Sequence, residues 1–433
     1  MPKWICLVIL FLCLPSQAQT LDQQIQDILE QNNTPGCAAG AIVNGQLVYE
    51  GYFGTANFDT DTPVTEQTAF MLASVSKVYT QTAALIAIDQ GHIENLSDPI
   101  NNYLPFEVKH PTDDTDITLA MLINHTSGIN DNWDEMPYLA TDDYCSPLEV
   151  YLENYLTPNG NIYNANLNFN NNVGVNDYCN IGYALIGLVV QSASGVDFSD
   201  FVKQNIFQPL CMESTSFFLE DLDESLVAMP YAFNGVDYTP YGHYSYNDYP
   251  SGRMRTTLRE IANFGISVLQ SGNMDNQHIL SQAISAQQIE NHGGGDQGVS
   301  TTFNMDKDAG TGIIILCNGS GSVQPIFNLL ENEMNEFLST TPDLLACHDE
   351  PTSAQSITQN ISFYPNPAKT HINFSTDYEV ERISISSIEG KVVLKTKITN
   401  NTIDISSLQN GIYNITIQAD RAKNATYRIV KMD

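Results

Sequence analysis

Basic residues are scarce in this 433-residue chain, where 17 Lys+Arg stand against 50 Asp+Glu for a formal net charge of −33. The shortage is uneven. From residue 351 onward nine Lys+Arg meet seven Asp+Glu, about +2, which leaves about −35 for everything before. So acidic a body repels nucleic acid and anionic membrane surfaces and excludes both as partners. Between residues 20 and 345 the lysines are Lys77, Lys109, Lys203 and Lys307. A long apolar run is missing too: Trp4 to Leu14 is too short to span a bilayer. With Lys3 before it and Ser16-Gln17-Ala18 after it, residues 1–18 read as a Sec signal peptide cleaved after Ala18. Cys13 follows Leu12 rather than a small residue, which argues against a lipoprotein anchor. Of eight cysteines, six lie beyond the signal: Cys37, Cys145, Cys179, Cys211, Cys317 and Cys347. Their spacing matches no zinc site, and six cysteines permit 15 pairings that spacing cannot choose among. With 42% apolar and 15% charged residues, the chain is globular and long enough for two or three domains.

What is present centres on Phe70 to Gly91. It reads as one buried helix starting at Ser74, apolar on every face from Ala83 to Ile88, with Gly91 as a left-handed stop. Ser74 and Lys77, three apart, meet on one face of such a helix; Ser76 cannot face its neighbour Lys77. A serine hydroxyl needs a base, and a lysine serves only if its neutral form is populated, which burial and a helix N-terminus both favour. The alternative is a capping serine beside a solvated lysine. A cation in the first turn opposes the helix dipole, however, and lysine is rare here, so a functional reason is expected.

The rest of the chain supplies a frame. Leu21 to Leu29 has helical spacing, and Cys37 to Tyr52 reads as a hairpin around Asn44-Gly45. Leu119 to Asn124, Ile181 to Ser192, Arg259 to Leu269 and Ile326 to Leu338 read as helices, and Gly310 to Asn318 as a buried strand. Pro158 to Asn176, with nine asparagines, reads as a long surface loop whose plain reading is solvated filler. Tyr231 to Tyr249 carries six tyrosines, either an exposed rim or core packing. Helices within a frame of N- and C-terminal strands give an α/β sandwich. Residues 346–358 read as a linker, followed by seven short strands in 359–433, a small all-β sandwich.

Three motifs in order, Ser74-Val75-Ser76-Lys77, Tyr178-Cys179-Asn180 and His292-Gly293-Gly294, give residues 19–345 a resemblance to the serine β-lactamase and penicillin-binding superfamily. Leu122-Ile123-Asn124-His125-Thr126-Ser127-Gly128-Ile129 and Asn180-Ile181-Gly182-Tyr183-Ala184-Leu185-Ile186-Gly187 resemble its class C, D-alanyl-carboxypeptidase and esterase branch. The resemblance implies an antiparallel sheet with helices on both faces plus an all-helical lobe. It implies that Ser74 attacks a carbonyl, Lys77 takes its proton, Tyr178 passes a proton to the leaving group and Asn180 holds the substrate amide. His292, Gly294 and Gly295 would border the substrate, with the N–H groups of Ser74 and Gly295 as the oxyanion hole. No cofactor is implied. The chain departs from the pattern where His292 replaces the lysine that engages a substrate carboxylate, which disfavours anionic substrates. Lowering the pH toward 6 should protonate His292 and restore that charge. Cys179 replaces a small Ser or Ala, as a buried inert thiol.

The last segment resembles the type A sorting domain of the type IX secretion system. Phe363-Tyr364-Pro365-Asn366-Pro367-Ala368, Ile388-Glu389-Gly390-Lys391, Gly411-Ile412-Tyr413 and Ile429-Val430-Lys431 carry that resemblance, against a polysaccharide-binding module as the alternative. The expected protein is a secreted serine hydrolase acting on an ester or D-amino-acid peptide, with β-lactams secondary. Its partners would be that substrate and the type IX machinery, and it would reach the outer surface. The competing expectation is a catalytically silent surface binding protein that uses the tyrosine-rich segment.

Overall fold

The computed structural model describes residues 19–139, 146–270, 273–274, 277–278, 291–337, 362–364, 369–375, 380–387, 392–397, 402–409, 411–419 and 425–431. The expected signal peptide and linker lie outside them. The chain divides into two compact units, the second beginning at Asp349.

In the first unit Asn44 and Gly45 both take positive φ, 52° and 75°, as a two-residue hairpin turn requires, and join strands β1 (Gly36–Val43) and β2 (Gln46–Asn57). Strand β3 (Thr62–Pro63) borders β2, and two short ribbons pair β4 (Phe70–Met71) with β7 (Arg255–Thr256) and β5 (Tyr231–Phe233) with β6 (Tyr238–Pro240). After β8 (Asn273–Met274) and β9 (Gln277–His278), strands β10 (His292–Asp296), β11 (Val299–Asp306) and β12 (Thr311–Cys317) complete one six-stranded sheet ordered β10-β11-β12-β1-β2-β3. The chain's first and last strands in this sheet are thus neighbours, Cys37 opposite Cys317 and Val43 opposite Thr311.

β1 is buried along its whole length because both faces are covered. On one, Cys37, Ala39 and Ala41 with Ile313 and Ile315 pack against helices α1 (Leu21–Gln31) and α8 (Gln324–Phe337) through Ile25, Leu29, Ile326 and Leu330. On the other, Ala38 and Ile42 with Ile314 and Leu316 join the larger core beneath α7 (Leu258–Leu269). Alternate side chains of a strand face opposite ways, so an unbroken apolar run is what a doubly covered strand requires.

The larger core continues into a helical lobe of α2 (Ser76–Asp89), α3 (Leu119–Ile123), α4 (Leu148–Leu156), α5 (Asn180–Ser194) and α6 (Phe198–Val202). α2 is buried from Ser76 to Ala87, and Gly91 at φ 76° follows its end, as expected. Its start differs from the sequence reading. Residues Ala73–Val75 form a separate 3₁₀ turn, and the α-helix begins only at Ser76. The reason lies in partners distant in sequence: the Leu72 N–H donates to Met254 O (2.8 Å) and Leu72 O accepts from Thr301 Oγ1 (2.7 Å). Held at both ends, the chain turns through Ala73 at φ 47°, a conformation that costs a non-glycine residue about 1–3 kcal/mol.

The asparagine-rich segment is not filler throughout. Asn168 is fully buried, its Nδ2 donating to Tyr155 O (2.8 Å) and Ile162 O (2.9 Å) while its Oδ1 accepts from Asn132 Nδ2 (2.9 Å). The segment thereby braces residues 130–132. In the tyrosine-rich stretch core packing prevails, since Tyr231, Tyr244, Tyr246 and Tyr249 are buried and Tyr241 is exposed. The four described cysteines beyond the signal, Cys37, Cys179, Cys211 and Cys317, are free thiols. Among the described residues no single helix is long and apolar enough to cross a membrane.

The second unit contains the seven expected strands in two antiparallel sheets. One is ordered β13 (Ser362–Tyr364), β14 (His371–Ser375), β17 (Thr402–Asp404); the other β16 (Val392–Lys397), β15 (Val380–Ser387), β18 (Gly411–Ala419), β19 (Ala425–Lys431). Among the described residues, its buried apolar side chains are Ile372, Ile385 and Ile403, from both sheets, and Ile405, just after β17.

Candidate active site

Four segments converge on Ser74: the 3₁₀ turn that carries it, the start of α5, the 3₁₀ turn Tyr249–Ser251 and strand β10. Lys77 lies one turn into the helical stretch, 1% exposed, with its Nζ 3.2 Å from Ser74 Oγ. It donates to Ser251 O (2.6 Å) and Asn180 Oδ1 (2.7 Å). Burial pulls its pKa down to about 8 against the attraction of Asp248 and Asp131. A neutral amine has two hydrogens, which these two acceptors use, so its lone pair is left for the Ser74 hydroxyl. Ser76 is excluded as expected, its Oγ accepting from the Met254 N–H (3.1 Å).

Tyr178 donates to Ser74 Oγ at 2.8 Å, and burial raises its pKa to about 12, so the phenol keeps its proton at neutral pH. Its ring packs against His125, with centroids 4.5 Å apart and planes tilted by 34°, and His125 Nδ1 accepts from the Cys179 N–H (3.1 Å). Burial first, then Lys77, lowers the His125 pKa to about 4, so this imidazole remains a neutral support. Cys179 is buried, and burial pushes its thiol well above the ordinary range, as an inert thiol requires.

Asn180 is oriented by a residue the sequence reading passed over. Asp131 accepts from Asn180 Nδ2 (2.8 Å) and from the N–H groups of Asn180 (2.9 Å) and Ile181 (3.0 Å) at the start of α5. This carboxylate both serves the helix N-terminus and turns the amide so that Oδ1 faces Lys77. One Nδ2 hydrogen is thereby committed; the second remains for a ligand. Asp131 lies two residues beyond the Leu122–Ile129 motif, and nothing in its spacing distinguishes it from other aspartates.

At β10 the glycine requirement falls on Gly294. A Cβ there would collide with Leu72 O and Thr301 Oγ1, so only glycine lets the strand lie against the turn that carries Ser74. A Cβ at Gly295 would enter open space, on the cavity side. His292 begins the strand, with its ring 6.1 Å from that of Tyr178. The gain of charge expected near pH 6 is disfavoured: burial first, and the nearby Lys77, lower the His292 pKa below its ordinary value, opposed by its hydrogen bond to Gly293 O.

The cavity beside Ser74 opens to solvent, comprises about 460 Å³ when that open space is included, and is lined also by Trp133, Met136, Tyr138, Asn180, Tyr246, Asp248, Ser251, Gly295 and Asp296. Burial raises the Asp248 pKa to about 6, and its Oδ2 accepts from Ser251 Oγ (2.7 Å). Asp296 accepts from Tyr138 OH (2.6 Å) and the Gln297 N–H (2.8 Å).

A beta-lactamase family model matches residues 21–290, and a model of the secretion system C-terminal sorting domain matches residues 362–432. A penicillin-binding protein of Bacillus subtilis (strain 168) is 29% identical over 206 residues, 46% of this chain and 40% of its own length. The chain thus spans less than half of that relative. Among solved structures, a D-amino acid amidase from Ochrobactrum anthropi SV3 complexed with L-phenylalanine amide superposes with a TM-score of 0.59 at 20% identity, over 73% of this chain and 99% of that one. The octameric penicillin-binding protein homologue of Pyrococcus abyssi gives 0.58 at 16% identity, over 95% and 99%. These two likenesses show the fold. Their agreement with the family model, which covers more than half of the sequence, leads to one conclusion: the chain belongs to the beta-lactamase family and ends in a secretion-system sorting domain.

Proposed function

We propose that the protein is a secreted serine hydrolase that forms an acyl-enzyme on Ser74. The observation that carries this reading is the position of Ser74 Oγ, 3.2 Å from Lys77 Nζ and 2.8 Å from Tyr178 OH. Neutral Lys77 accepts the hydroxyl proton as Oγ attacks a carbonyl carbon. The oxyanion forms against the N–H groups of Ser74 and Gly295, fixed donors of the kind that contribute about 3–4 kcal/mol. Tyr178 passes a proton to the leaving group as the tetrahedral intermediate collapses, and Asn180 offers its second Nδ2 hydrogen to the substrate amide. Water then attacks the ester by the same route in reverse. The silent binding protein is disfavoured because such a role needs neither the Ser74–Lys77–Tyr178 contacts nor a lysine held near neutrality.

The substrate class is an ester or a D-amino-acid peptide, with β-lactam turnover secondary. His292 supplies no cation, and Asp248 and Asp296 line the cavity. An ester with a neutral acyl group should therefore show a higher kcat/KM than its carboxylate-bearing analogue at pH 7 in low salt. Any narrowing of that gap toward pH 6 reports protonation of Asp248, whose pKa is about 6. Asp248→Asn should remove the narrowing and His292→Gln should not; the reverse pattern would restore His292 as the titrating group.

The sorting domain marks the protein for secretion. We read residues 1–18 as the export signal, 19–345 as the hydrolase and 359–433 as the module handed to the type IX machinery, which places the enzyme at or beyond the outer surface. A chain ending at Asp349 should keep its hydrolytic rate and stay in the periplasm of a type IX-competent host. Lost activity in that shortened chain would show that the tail belongs to the enzyme.

A further inference from the structure

Among the described residues, the cavity beside Ser74 is lined by two carboxylates and by no Lys, Arg or His side chain. Asp296 directly follows Gly295 at the end of β10, and Asp248 opens the turn whose Ser251 carbonyl holds Lys77. The carboxylates therefore belong to two of the segments that build the nucleophile's surroundings. The neighbouring guanidiniums are engaged elsewhere: Arg253 lies over the Phe218 ring at 5.0 Å, and Arg255 Nη2 donates to Tyr244 O at 3.2 Å. Three aromatic side chains complete the wall. Tyr246 is buried, Tyr138 packs edge-on against it at 6.2 Å, and Trp133 stands at the rim, 64% exposed.

Aromatic faces and a pair of carboxylates, Asp248 buried and Asp296 half-buried, together favour one kind of guest. Rings attract a cation through their negative faces, and an ammonium offers a carboxylate the charge-assisted donors that burial has taken away. An anion would face two like charges. A neutral guest would add no charge-assisted donor to the hydrogen bonds that Asp248 takes from Ser251 and Asp296 takes from Tyr138 and the Gln297 N–H.

We infer that the acyl group transferred to Ser74 carries an ammonium, as an aminoacyl ester or amide whose cation is held by Asp248 and Asp296 between the rings of Trp133, Tyr138 and Tyr246. This rests on the reading of Ser74 as nucleophile and narrows its substrate class.

The test uses the full-length protein and phenyl esters of alanine (both enantiomers), β-alanine and 4-aminobutyrate, each against its N-acetyl form at pH 7. At least one amine should show a kcat/KM about tenfold or more above its N-acetyl partner, the size expected of one good charge contact. Asp248→Asn and Asp296→Asn should each reduce that ratio about threefold or more, and the double variant should bring it to about one. Parallel labelling with a neutral fluorophosphonate shows whether Ser74 reacts in each protein. Labelled Ser74 with wild-type ratios at or below one for every pair would overturn the ammonium assignment alone. A ratio that both properly labelled variants leave unchanged would do the same. An unlabelled Ser74 in the wild type would bring down the hydrolase reading and this inference together.

Discussion

Replacing Ser74 with alanine should abolish hydrolysis, lowering kcat by roughly 10⁶-fold, as removal of a serine nucleophile does elsewhere. The protein should otherwise fold unchanged, because the hydroxyl is half-buried and its two contacts come from side chains held independently. Lys77 keeps its bonds to Ser251 O and Asn180 Oδ1, and Tyr178 keeps His125 beneath its ring. Activity retained in this variant would place the nucleophile elsewhere.

Lys77→Met should cost less but still roughly 10³-fold in kcat, within the range general bases contribute. Methionine fills most of the buried volume and removes a desolvated ammonium, so a folded, inactive protein is the expected result. The wild-type pH profile gives the complementary readout. The neutral amine is the active form and its pKa is about 8, so kcat/KM should rise as pH passes through about 8 and fall below it. At pH 7 about one molecule in ten then holds the base ready. A profile already flat from pH 7 to 9 would contradict Lys77 as the base, since Asp248 in the same cavity titrates lower, at about 6. Tyr178 lies near 12 and His125 near 4.

The frame of the molecule was legible because it depends on periodicity and on punctuation. The Asn44-Gly45 hairpin, the unbroken strand Ile313 to Leu316 and the apolar helix ending before Gly91 each follow from one local rule. Ser74 and Lys77 were legible because a lysine in a first turn opposes the dipole. What escaped was fixed by distant partners. The 3₁₀ turn at Ala73 arises from the hold of Met254 and Thr301 on Leu72, and neither residue is near it in sequence. Asp131 and Asp248 act through acceptor geometry that only the folded backbone defines. His292 was read from its ordinary pKa, while burial and the nearby Lys77 lower it in the fold. Asn168 shows the same limit, since composition marked a loop and could not show one buried amide serving two carbonyls.

The claim that everything else depends on is acylation at Ser74, and peptide mapping of the intact secreted protein after fluorophosphonate treatment tests it most directly. One adduct per chain is expected, on the peptide containing Ser74, absent from Ser74→Ala and formed faster at pH 8.5 than at pH 6.5. An adduct on Ser76 or Ser127, or none in a protein that still hydrolyses esters, would contradict the mechanism.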